Sequence, residues 1–130
     1  MIDWKVMTQE MTQIGEILAF PPGYDQQRDG CCFPDWSYQG ALLVHFQTGS
    51  VMVEYDGGLF KGADLGYLQK SLSWTLDRYE GAPDSINHLD LSSFESVPLK
   101  RDVIVQILSK TLEMNQQAKE LNACLVFSGD

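Results

Sequence analysis

The stretch ALLVHFQTGSVMVEY, residues 41–55, is the one whose reading decides the fold class. Two runs rich in β-branched and aromatic residues, 41–46 and 51–55, flank Gln47-Thr48-Gly49-Ser50, and that pattern predicts a β-hairpin. Pairing Phe46 with Val51 puts Leu42, Val44 and Phe46 on one face with Val51, Val53 and Tyr55. His45 and Glu54 fall diagonally across the other face, beside Leu43 and Met52. Asp56-Gly57-Gly58 then turns the chain toward a short strand at 59–61.

Toward the C-terminus the signals alternate. Asp64 reads as a helix N-cap, and Leu65, Leu68, Leu72, Leu76 and Tyr79 follow on one helical stripe that Gly81 and Pro83 close. Residues 86–91 read as a strand. Ser96, with Pro98 in the first turn, starts the longest helix, whose stripe carries Ile104, Ile107, Leu108, Thr111, Leu112, Ala118 and Leu121. Residues 123–127 are apolar at every position, the pattern of an interior strand covered on both faces.

Toward the N-terminus, Met7, Met11, Ile14 and Leu18 recur at helical spacing, one turn after Trp4. They predict a helix over 4–19, stopped by Pro21-Pro22-Gly23. Gly15 weakens that helix, and a strand over 14–20 is the competing reading. Residues 21–39 carry no period and read as a long loop, a length that compact domains usually reserve for function. The sum is an α+β chain, expected to form one domain over residues 1–130. A mostly antiparallel sheet of four to five strands packs with three helices in the order α-β-β-α-β-α-β.

Composition narrows the function classes. Eighteen acids against nine lysines and arginines leave a net charge of −9. Residues 1–60 hold eight acids and two bases, which is −6 of that total. Such a surface repels nucleic-acid backbones and anionic membranes and is compatible with a basic protein partner. Cys31, Cys32 and Cys124 are an odd set with two adjacent members, a poor disulfide framework, and no Cys-x-x-Cys pair exists for a zinc site. Charges scattered through the first twenty residues argue against a secretory signal, so the expected compartment is the cytoplasm.

Motifs for chemistry are sparse. His45 with Glu54 reads as a cross-strand polar pair, and His88 with Asp90 as a polar pair sharing one face two residues apart, rather than as catalytic dyads. Asp25, Gln27, Asp29 and Gly30 match the first half of a calcium loop. The second half fails, because Trp36 stands where the bidentate glutamate belongs. No catalytic residue, metal ligand or cofactor is assigned.

Carboxylates and aromatics together on an irregular segment are the composition of a recognition surface. The expected function is therefore a non-enzymatic interaction module of inhibitor, immunity or chaperone type. It binds a basic partner through Tyr24, Asp29, Phe33, Asp35, Trp36 and Tyr38 and through the adjoining His45 and Glu54. The alternative is a small-molecule pocket or minor enzyme lined by Trp36, Tyr38, His45 and Glu54, with a cavity beside His45. The excess of apolar faces over places to bury them predicts a homodimer.

Overall fold

A computed structural model describes residues 1–48, 53, 57–90 and 93–129. The chain is α+β. Strands β1 (Asp3–Met11) and β2 (Glu16–Ala19) lead into a short helix α1 (Gln26–Asp29), strand β3 (Cys31–Cys32) and helix α2 (Trp36–Leu42). A 3-10 turn, Leu43–Phe46, continues α2. Strand β4 (Gly58–Phe60), helix α3 (Ala63–Glu80), strands β5 (Ser85–Asp90) and β6 (Glu95–Lys100), helix α4 (Arg101–Glu120) and strand β7 (Cys124–Ser128) complete the order. One antiparallel sheet runs β2-β1-β7-β4 with β3 also on β1, and β5 with β6 forms a second, two-stranded sheet.

The apolar terminal run is interior to the sheet, but the expected cover on both faces is not met: Val126, on the face away from the core, is only half-buried. β7 pairs with β1 on one side and with β4 on the other. Trp4 and Phe127, Val6 and Leu125, and Phe60 and Leu125 are register partners, so all five side chains point to one face and are buried. Helices α3 and α4 pack together and onto that face. Trp4 stands at the centre, its ring 4.9 Å from Phe33 and 5.3 Å from Phe46 and Phe127. The Trp4 indole N–H donates to Thr111 Oγ1 of α4 at 3.0 Å. A buried indole must be paired in this way, because an unmet donor costs about 1–3 kcal/mol.

Three local expectations are corrected. The helix over 4–19 is a β-hairpin, β1 with β2, and the competing strand over 14–20 is the reading that matches β2. Helical spacing of Met7, Met11, Ile14 and Leu18 is outweighed by the strict alternation of Ile2, Trp4 and Val6, all buried. Gly15, at φ +140°, takes a backbone conformation open to glycine, and Thr12 and Gly15 exchange N–H···O bonds of 2.7 and 3.2 Å across the turn.

The hairpin expected over 41–55 fails in its first arm, where α2 and the 3-10 turn hold residues 41–46. Asp35 caps α2 by accepting from the Ser37 and Tyr38 N–H groups. Tyr38, Leu42 and Phe46 then recur every fourth residue as its buried stripe. Leu42 and Phe46 satisfy both a period of two and a period of four, so the alternation was ambiguous. Of the second arm only Val53, which is buried, lies within the described residues.

The third correction is at Ser96 and Pro98, which lie in β6, while α4 begins at Arg101. Proline is tolerated there because, among the described residues, β6 pairs only with β5, with Pro98 opposite Asn87. The helix expected after an Asp64 cap is α3, with Gly62 as the capping residue and Asp64 in the first turn.

Candidate functional site

Segment 21–39, expected as a recognition loop, is largely built into the structure. Asp25 caps α1 by accepting from the Gln27 and Arg28 N–H groups. Asp29 accepts from the Arg28 guanidinium at 2.9 Å, which holds its carboxyl down at about 2. Asp35 is the cap of α2. Phe33 is 1% exposed inside the aromatic cluster.

The polar ends of three more side chains accept from backbone N–H groups elsewhere in the chain. Tyr24 Oη accepts from Val6, Tyr38 Oη from Lys100, and Gln39 Oε1 from Ile2, each at 3.0 Å. Of the predicted aromatics Trp36 alone faces solvent, at 61% exposure. Tyr24, Asp29, Phe33, Asp35, Trp36 and Tyr38 therefore do not converge on one surface, and Glu54 lies outside the described residues.

Two other features stand out. The first is an arm. β1 pairs with β7 only over residues 3–7, and beyond that point residues 8–11 pair with β2 alone. Residues 8–19 form a two-stranded ribbon with no buried residue along its length. Ile14 at its tip is 101% exposed and Met11 80%, with Ile17 and Leu18 also exposed. Glu10 and Glu16 are its charged residues, and it carries no base.

The second is a cleft of about 340 Å³ beside His45, between the C-terminal half of α3 and the chain entering β5. His45, Trp74, Thr75, Arg78, Tyr79 and Ile86 line it. The alternative sequence reading placed a cavity beside His45, but Trp36 and Tyr38 do not line this one. Trp74, Arg78 and Tyr79 were missed, although an aromatic and an arginine four residues apart on a helix is a recognisable stacking pair. Ser71 Oγ of α3 donates to the His45 carbonyl at 2.8 Å and fixes the 3-10 turn against the helix. Burial, and then the positive charge of Arg78, lower the His45 pKa below its usual 6.5.

A larger cleft, about 560 Å³, lies over β1 and β3 and is lined by Lys5, Gln26, Cys31, Cys32 and Lys110 among others. Its cations are engaged: Lys5 lies 3.8 Å from Asp3, and Lys110 Nζ donates to the Arg28 carbonyl at 2.8 Å. Burial pushes the Cys31 thiol up to about 11, which removes it as a nucleophile at neutral pH. No described helix is long and apolar enough to cross a membrane. No protein-family model matches the chain, and neither does any curated protein or solved structure.

Proposed function

We propose that this protein is a non-enzymatic binding module whose partner, a protein with a basic surface, docks on the arm of residues 8–19. The supporting observation is that the arm extends beyond the end of the β1–β7 pairing with no buried residue and with Met11, Ile14 and Ile17 exposed. A two-stranded ribbon is marginally stable alone, so it gains from cover. Among the described residues strand β2 pairs with β1 only, and it is apolar at three of its four positions, which suits addition of a strand from a partner. Basic character follows from charge: Glu10 and Glu16 flank the apolar side chains, and the chain carries −9 overall.

The test is a pull-down with the full chain beside an Ile14→Asp, Ile17→Asp variant. Both positions are exposed, so the variant should keep the wild-type melting temperature. The expected result is one basic protein that elutes with salt and is lost from the variant. Equal retention by both proteins, or partners that are all acidic, would overturn the reading.

A second copy of the chain is the reading favoured for the adjoining sheet face. Val126 is the register partner of both Lys5 and Leu59, and Met7 is the partner of Cys124. These residues alternate with the core positions and so point away from it, and Met7, Leu59 and Val126 are half-buried. An isologous contact over this apolar stripe, with the acidic residues at its rim, would make the homodimer.

A further inference from the structure

We propose that the cleft beside His45 binds a small planar carboxylate, with Arg78 taking the carboxylate and the walls of the cleft taking an aromatic body. The chain has three arginines. Arg28 lies 2.9 Å from Asp29, and Arg101 lies 2.8 Å from Asp84. Arg78 is different. Although acids outnumber bases two to one in the chain, no carboxylate among the described residues pairs with it.

Its guanidinium instead rests over the Trp74 ring, with Cζ 4.7 Å from the ring centroid. Stacking of this kind holds the planar group in place and leaves its N–H edge available for a carboxylate. The charge sits at a cleft to which Tyr79, Ala82, Pro83 and Ile86 contribute apolar lining. Tyr79 and His45 meet edge to face, 6.4 Å between centroids at 83°, so the two rings form a corner rather than a flat surface.

The ligand class follows from size and charge. About 340 Å³ is at the small end of the roughly 300–1,000 Å³ range of ligand pockets, suited to one or two fused rings. A single guanidinium matches a single negative charge. No lysine lines the cleft, and burial and the charge of Arg78 both oppose protonation of His45, so a phosphate dianion finds no ready second cation. This site does not depend on the arm.

The experiment titrates the full chain with naphthoate and with naphthalene carboxamide, followed by tryptophan fluorescence and by calorimetry. Naphthoate is expected to bind, and the carboxamide at least tenfold more weakly on the same protein. Arg78→Met, which keeps an apolar stem over Trp74, is expected to weaken naphthoate by at least tenfold at an unchanged melting temperature. The arm variant should bind it like wild type. No naphthoate binding at millimolar concentration, equal affinity for acid and amide, or inorganic phosphate binding where naphthoate does not would each overturn the proposal.

Discussion

The hydroxyl of Tyr24 takes the place of a strand carbonyl on β1: it accepts from the Val6 N–H at 3.0 Å and donates to the Asp29 carbonyl at 3.1 Å. β7 covers one edge of β1 along residues 3–7, so β3 at residues 3–4 and β2 at residues 8–11 share the other edge. Val6 lies in the gap between them. Tyr24 closes that gap and ties segment 21–39 to the sheet. Its pKa is raised, chiefly by burial, as expected of a phenol used as a structural group.

Tyr24→Phe removes the acceptor and leaves the Val6 N–H without its partner. The expected loss is about 1 kcal/mol in urea denaturation, with faster hydrogen exchange at the Val6 amide. An unchanged exchange rate at Val6 would show that water serves this edge equally well.

Thr111→Val tests the centre of the core. It keeps the side chain's shape and leaves the Trp4 indole N–H unmet in a buried place, so it should cost about 1–3 kcal/mol. Trp4→Phe on the same background should recover part of that loss in a double-mutant cycle. Purely additive losses would mean the two groups are not coupled.

Asp35→Ala asks whether the acids of segment 21–39 act as caps or as contact residues. A cap predicts a loss of about 1 kcal/mol, largely restored by Asp35→Asn, which can still accept from the Ser37 and Tyr38 N–H groups. Partner capture that falls with Asp35→Asn at full stability would instead return this residue to the binding surface.

The lowered His45 pKa has a defined consequence for acid stability. The unfolded chain takes up a proton at the ordinary value of 6.5, and the folded chain resists it until the pH reaches its lower value. Stability is therefore full above 6.5 and falls as the pH drops from there to the folded pKa, below which this contribution is constant. His45→Gln should lose less stability than wild type between pH 7 and 5, measured as melting temperature across that range. Parallel curves for the two proteins would remove the burial of His45 as a cause.

The homodimer predicts a mass of two chains in light scattering coupled to size exclusion at micromolar concentration. A charged residue on the open sheet face, Val126→Glu, should return the mass to one chain. A mass of one chain for wild type at every concentration would end the dimer reading.

What the sequence by itself determined is whatever one period and one set of stop signals could state. The stripe of Leu65, Leu68 and Leu72 closed by Gly81 is a helix in any context, and it forms α3. The apolar terminal run, too short for a helix, is the interior strand β7. Together with the strand expected at 86–91, which is β5 (Ser85–Asp90), these elements were enough for the α+β class and the antiparallel sheet. The tertiary structure decided the cases where two periods fit the same residues. Leu42 and Phe46 serve a strand or a helix equally, and the Asp35 cap with burial of Tyr38 selects the helix. Met7, Met11, Ile14 and Leu18 fit a helix, but β1 gains its ladder from β7 at the far end of the chain, a contact no local window contains. The cleft is non-local in the same way: His45 comes from the turn after α2, and Trp74 and Arg78 come from α3. A side chain's spacing is local, whereas the pairing that offsets the entropy of ordering it is set by whatever the fold brings alongside.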